Sequence, residues 1–377
     1  MIRPSKNGLP FAAALLASVS LAACGAPDPE TQAAPAAPAS APAVRPTGAT
    51  GALAPASIEA AVWKADAPAS PSTAAPTGAA APATAPGVGG PAAASTTPPR
   101  PEIIRAQILL DRARFSPGSI DGLGGENTRQ AIAAFAEAND IASDGELNEA
   151  VFAALTRAAA PVMAEYIITP ADVAGPFIAE VPTDLEAQSE LEALGYTSAL
   201  EGLAEKFHVT EVLLTALNPG VDFARAGQAI VVPAITDQPL PAEVTRILVN
   251  KADSAVRAFD AAGNLLAFYP ATIGSSARPA PTGRVTVVGV APEPNYTYDP
   301  ERLTYGTADR KFVVAAGPNN PVGSVWIDLS RDTYGIHGTP DPSKIAKTAS
   351  NGCVRLTNWS AEQLAAAVKP GVEVIFS

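Results

Sequence analysis

Cysteine and histidine are nearly absent from this chain, with two of each in 377 residues. Such scarcity leaves no disulfide framework and no His/Cys cluster of metal-ligand spacing, so a stapled scaffold or a zinc module is excluded. Basic residues are also few: 25 Lys and Arg stand against 37 Asp and Glu, a formal charge of −12, and no basic run occurs in the part expected to fold. Binding to nucleic acid needs clustered Lys and Arg against phosphates, so no nucleic-acid partner is expected. Aromatics make up 6% of the chain, and from Gly25 to about Pro99 Ala, Pro, Gly, Ser and Thr predominate. A segment of that composition buries too little apolar surface to offset its conformational entropy, and residues 25–100 read as a disordered linker. Its prolines favour extended conformations at about 3 Å per residue, a reach on the order of 200 Å.

Ahead of the linker, Arg3 and Lys6 precede an apolar stretch from about Phe11 to Leu21, too short to span a bilayer comfortably, and Leu21-Ala22-Ala23-Cys24 follows. Residues 1–24 resemble a bacterial lipoprotein signal, which implies lipidation of Cys24 and a membrane partner through that anchor. Gly25 takes the place where an Asp would favour the inner membrane. The resemblance therefore implies a periplasmic, wall-associated protein, with the outer membrane favoured over the inner.

If Cys24 is consumed by lipidation, Cys353 is the one thiol left, and it lies sixteen residues after His337. A lone cysteine with a histidine in reach is a candidate nucleophile, because imidazole can take the thiol proton and leave a thiolate. The other histidine, His208, ends an amphipathic helix and reads as a half-exposed surface residue.

Three regions follow the linker. Residues 101–158 show helical spacing in three short segments: Ile104, Ile108 and Leu109; Ala131, Ile132 and Phe135; and Leu147, Val151, Phe152 and Leu155. With Ile120-Asp121-Gly122 and Thr128, this region resembles a small three-helix peptidoglycan-binding domain. In residues 165–235, Ser198 and Glu201 have capping-box spacing before an apolar helix face, Thr210 can cap a second helix that stops at Asn218-Pro219-Gly220, and Ala229-Ile230-Val231-Val232 reads as a strand. This order resembles the latter part of a LysM module, an α+β glycan-binding unit, with Tyr166-Ile167-Ile168-Thr169 as its first strand and a long insertion as its departure. Residues 241–377 alternate short apolar runs with turns: Val244–Val249, Ala255–Phe259, Leu265–Tyr269, Val285–Val290 and Val325–Leu329 predict a meander. One helix follows, with Ser360 and Gln363 at capping-box spacing, and Val372–Phe376 closes the chain. The fold class expected is a mainly β sandwich or small barrel with one helix, preceded by the three-helix domain and the α+β module.

Gly335-Ile336-His337-Gly338-Thr339-Pro340 and Ser350-Asn351-Gly352-Cys353-Val354-Arg355-Leu356, with the turn Pro281-Thr282-Gly283 and the loop Asn320-Pro321-Val322-Gly323, resemble the signature of the YkuD-type L,D-transpeptidases. The resemblance covers residues 241–377, with Asn351 where many members have His. It implies that Cys353 attacks a peptidoglycan tetrapeptide stem at the bond to its terminal D-Ala, with His337 as base and the backbone carbonyl of Gly338 as its orienter. Backbone N–H groups of Gly352 and Cys353 are placed by sequence to serve an oxyanion. Arg355 and Ser350 are supporting residues: Arg355 either binds a substrate carboxylate or braces the site, and Ser350 either bonds to the catalytic loop or serves as a turn residue. Tyr296, Tyr298 and Tyr305 form either a lid or an ordinary packed loop. The acyl acceptor stays open among a neighbouring diaminopimelate, a protein lysine of a lipoprotein, a free D-amino acid and water. Carbapenem acylation of Cys353 is a further implication, and no cofactor is implied. The competing reading is a non-catalytic, lipid-anchored wall-binding protein. A papain-like protease would show an Asn or Asp partner and a different local signature, and a redox thiol would want a second Cys nearby.

Overall fold

Helix signals cluster before residue 235 and strand signals after it, and a computed structural model shows how the two halves are joined. The structure describes residues 49–64, 97–157, 160–235, 239–303, 306 and 308–377. The expected signal segment with Cys24, most of the linker and Tyr305 lie outside these.

A piece of the expected linker is ordered. Helix α1 (Pro55–Glu59) buries Ile58 completely, and Trp63 Nε1 donates to the Leu147 carbonyl at 2.7 Å. Composition averaged over the whole linker hid one short stretch that carries an isoleucine and a tryptophan at a spacing able to dock.

The helical module consists of α2 (Pro101–Arg112), α3 (Glu126–Ala138) and α4 (Glu149–Thr156). Proline opens α2 at N1, where its missing N–H costs nothing. The helix is buried on more than its predicted face, since α1 and the next module cover it as well. Gln107, inside α2, shapes the following loop: its Oε1 accepts from the N–H groups of Asp121 (3.1 Å) and Gly122 (2.8 Å), and its Nε2 donates to Asp121 Oδ1 and Thr128 Oγ1. Gly122 has φ +73°, and a Cβ there would lie 2.7 Å from Pro99. That explains the Asp-Gly pair.

The middle module is a β-α-α-β unit of β1 (Met163–Ile167), α6 (Ala199–Lys206), α7 (Glu211–Leu217) and β2 (Ala229–Pro233), with β1 and β2 paired antiparallel and α5 (Leu185–Gln188) in the insertion between β1 and α6. Ser198 and Thr210 cap their helices as expected. The insertion leaves the module: Val181, Leu185 and Leu194 form a small core with residues of a C-terminal hairpin, β8 (Tyr296–Tyr298) and β9 (Phe312–Val314).

The C-terminal domain holds β3 (Arg246–Asn250), β4 (Ala255–Phe259), β5 (Leu265–Pro270), β6 (Thr272–Ile273), β7 (Gly283–Pro292), β10 (Val325–Leu329), β11 (Gly335–His337), β12 (Val354–Arg355), α8 (Asn358–Ala367) and β13 (Glu373–Phe376). Nine of its strands form a barrel-like sheet in the order β5-β4-β3-β13-β7-β10-β11-β12-β6. The expected meander is limited to β3–β5. The closing strand β13 instead runs parallel to β3 and separates it from β7, while β11 and β12 pair in parallel. These long-range pairings have no local sequence mark. Helix α8 is capped by Thr357, whose Oγ1 accepts from Ser360 N at 3.3 Å. Ser360, expected as the cap, is buried within the helix three residues later.

Residues 115–120 join the modules. Ser116 N donates to the Phe268 carbonyl (2.9 Å), and Ile120 N donates to the His208 carbonyl (2.7 Å). His208 is buried, contrary to the expected surface position: its Nδ1 lies 3.0 Å from Asp111 Oδ2 and its ring stacks on Trp359. Asp111, His208 and Trp359 come one from each module, so only their assembly encloses the ring. One hydrophobic core runs from Ile58 through the helical and middle modules to Ala255 and Phe268.

Ile58→Ala is expected to cost about 2–5 kcal/mol, the range for a fully buried isoleucine. Thermal melting of chains beginning at residue 49 and at residue 65 checks the docking: the longer melts higher, and equal midpoints would return this segment to the linker.

Candidate active site

Strand β11 ends in His337, and β12 begins one residue after Cys353. Their parallel pairing sets His337 opposite Arg355, and period-2 alternation returns Cys353 to the same face. All three line one cavity of about 580 Å³.

His337 is 3% exposed, with Nδ1 2.7 Å from the Gly338 carbonyl. A carbonyl only accepts, so the proton sits on Nδ1 and Nε2 keeps the lone pair. Burial, and then the positive charge of Arg355, push the imidazole down to about 3, against hydrogen bonds to the Gly338 and Val322 backbone. Trp326, directly opposite on β10, stacks on the ring with centroids 5.4 Å apart. Gly335 makes room for that indole, because a Cβ there would lie 2.4 Å from it.

Cys353 is half-buried, and its Sγ lies 3.6 Å from the Thr333 carbonyl. Burial pushes the thiol up, opposed by a backbone hydrogen bond from Gly335 and by Arg355. Burial thus favours the neutral form of both groups, the thiol and the imidazole, in the cavity they share. Thr333 has φ +67°, an outlier for a β-branched residue, which aims its carbonyl at the sulfur.

Ser350 organises the loop before the cysteine. Its Oγ accepts from Gly274 N (2.6 Å) and Gly352 N (3.3 Å) and donates to the Cys353 carbonyl at 2.6 Å. The Gly352 N–H, expected to face an oxyanion, is thus held by Ser350 through a long bond that must be released for that role. Gly352 itself is required: φ is +112° and a Cβ would lie 2.9 Å from Tyr334. Asn351 accepts from Arg278 Nη1 at 2.7 Å and lines the cavity wall.

The tyrosine cluster divides. Tyr296 lines the cavity, whereas Tyr298 is buried, stacks on Phe312 and donates to the Ala308 carbonyl. Asn320 organises the loop before Gly323 by accepting from Val322 N and donating to the Ala315 carbonyl. Sequence reasoning missed Trp326, Arg278 and Asn358, and also Leu185 and Gln188, which bring the middle module's insertion to the cavity wall. The insertion gives no sign of this in its own sequence. Among the described residues no cluster of His, Cys, Asp and Glu suits a metal ion, and no helix is long and apolar enough to cross a membrane.

Removing the Ser350 hydroxyl leaves buried groups without their partner, so Ser350→Ala is expected to lower stability by about 1–3 kcal/mol in urea unfolding. Alkylation of Cys353 by iodoacetamide, followed against pH, tests the neutral pair. The rate is expected to keep rising through the ordinary thiol range near about 8.5. A plateau already reached in acid would instead mean a standing thiolate–imidazolium pair.

Residues 244–376 match the model of the L,D-transpeptidase catalytic domain YkuD, and residues 99–155 match that of a peptidoglycan binding domain. A protein of Bacillus licheniformis named as an L,D-transpeptidase, YkuD, is 30% identical over 178 residues, covering 46% of this chain and 91% of that protein. YcfS of Escherichia coli, also named as an L,D-transpeptidase, is 31% identical over 185 residues, covering 47% of this chain and 58% of its own. The solved structure of L,D-transpeptidase 3 from Mycobacterium tuberculosis with a faropenem-derived adduct aligns at TM-score 0.30 and 14% identity, over 40% of this chain and 74% of that one. The Bacillus relative is matched over nearly its whole length, and the catalytic-domain match contains the cavity's cysteine and histidine: the chain belongs to the YkuD family of L,D-transpeptidases.

Proposed function

We propose that this protein is a cysteine acyltransferase of peptidoglycan, with Cys353 as nucleophile and His337 as general base. The observation that carries the reading is the placement of His337: its Nδ1 is committed to the Gly338 carbonyl, which leaves the lone pair on Nε2, and the ring lines the cavity that also holds the thiol. General-base help of this kind contributes about 10²–10⁴-fold.

The reaction balances in two halves. Sγ attacks the carbonyl that joins a diaminopimelate centre to the terminal D-Ala of a tetrapeptide stem, while Nε2 takes the thiol proton. The tetrahedral intermediate collapses to a thioester, and His337 returns the proton to the departing D-Ala amine. An incoming amine then attacks the thioester and releases the thiol. A second diaminopimelate gives a 3→3 cross-link, a protein lysine attaches a lipoprotein, and a free D-amino acid gives exchange; water would make the protein a carboxypeptidase. The N–H groups of Cys353 and Gly352 serve the oxyanion once the Ser350 bond lets go. Arg355 lies beside both reacting groups, where it can meet a substrate carboxylate.

Wall targeting is assigned to the N-terminal modules. The match to a peptidoglycan binding domain supports this for residues 99–155. The β-α-α-β order of the middle module agrees with a LysM-like unit. Lipidation of Cys24, a periplasmic location with the outer membrane favoured, and a tether from the anchor to the folded body complete the proposal, supported by the sequence alone.

Intact mass spectrometry of the fragment from residue 49 onward, incubated with meropenem, tests the acylation half. The parent is expected to gain the mass of one meropenem and Cys353→Ala none. A folded parent without adduct would sink the acyl-transfer reading and leave the wall-anchoring one.

A further inference from the structure

Asn358, the first residue of α8, meets the catalytic strand and the middle module at once. Its Oδ1 accepts from Thr339 N (3.0 Å) and Ser324 N (3.2 Å). A Cβ on either Gly338 or Gly323 would come within 2.1 Å of that oxygen, so both backbones lie directly against the amide. Its Nδ2 donates to the Pro318 carbonyl (3.2 Å) and to Glu205 Oε1 (2.6 Å). Two donors on one side and two acceptors on the other leave the amide a single orientation. Of these partners only Glu205, on α6, belongs to another module.

The peptide unit that Asn358 grips through Thr339 N is the one whose carbonyl, that of Gly338, holds His337 Nδ1 at 2.7 Å. If the amide turns or withdraws, that carbonyl moves, and with it the partner that sets the imidazole's tautomer and plane. We propose that Glu205 is a positioning residue for His337, acting through Asn358 and the Gly338–Thr339 peptide, so that the middle module completes the general base of the neighbouring domain.

The surroundings of Glu205 suit a fixed acceptor. Tyr196 and Asn358 bond to its carboxyl, and Glu201 and Glu362 face it with negative charge. Burial first, and then those two carboxylates, push Glu205 up to about 8, against the hydrogen bonds from Asn358 and Tyr196. The neutral form that this shift favours still offers Asn358 an oxygen. A glutamine in its place keeps that oxygen, whereas a leucine fills the volume and offers none.

The proposal rests on the acyl-transfer reading, and its test uses the chain from residue 49 onward, which contains all three modules. Meropenem acylation at pH 7 is resolved into a binding constant and a maximal rate for the parent, Glu205→Leu and Glu205→Gln. The expected result for Glu205→Leu is an unchanged binding constant with the maximal rate lowered about tenfold or more, the scale on which a misplaced group far from the chemistry slows a reaction. Glu205→Gln is expected to stay within about twofold of the parent, since it keeps the acceptor. The chain has two histidines, so a long-range ¹H–¹⁵N spectrum distinguishes both rings, and the His337 ring is expected to change in the leucine variant alone. If Glu205→Leu does not fold, Glu205→Asp, which draws the carboxyl back by one methylene, carries the same expectation. A folded Glu205→Leu that acylates at the parental rate, or a Glu205→Gln as slow as it, overturns the positioning role. A folded parent that never acylates overturns the acyl-transfer reading instead.

Discussion

The hydrogen bond from His337 Nδ1 to the Gly338 carbonyl is the contact around which the active site is arranged. An isolated imidazole exchanges tautomers and turns about its bonds; this one has a carbonyl on Nδ1 and an indole against its face. The peptide that carries this carbonyl is clamped by Asn358, and the clamp needs Gly323 and Gly338 to lie bare against the amide. Three parts of the chain far apart in sequence thus converge on one proton position.

Modular wall proteins suggest beads on a string, and this chain departs from that picture. The loop at 115–120 hydrogen-bonds to both neighbours, one core crosses all three modules, and His208 is sealed by residues from the other two. The insertion in the middle module then walls the cavity with Leu185 and Gln188. The three modules therefore meet through packed side chains and backbone hydrogen bonds.

Much of this was legible beforehand. Helical and strand periodicities located the longer helices and strands, since buried faces leave a repeat of 3.6 or 2 in the order of apolar residues. Ser198 and Thr210 marked helix starts because their caps are local. Local signals also misled: Ser360 had the right spacing for a cap but sits inside α8, and the isoleucine and tryptophan of 49–64 vanished in an average dominated by Ala and Pro. Strands β6, β8, β9, β11 and β12 have two or three residues each, too few to show an alternation.

Residue order alone was enough to mark Cys353 and His337, because a lone thiol sixteen residues from a histidine, in runs rich in glycine, is a chemical pattern that survives without coordinates. The Gly338 carbonyl came instead as an implication of the family resemblance, and the structure has it 2.7 Å from His337 Nδ1. Folding alone settled which face Cys353 shares with His337, what occupies the Gly352 N–H, that Tyr296 rather than Tyr298 reaches the cavity, and that Glu205 of another module bonds to Asn358. The Cys353 sulfur meets Thr333 across 20 residues of chain and Asn358 meets Glu205 across 153, and no local pattern encodes a distance across the fold.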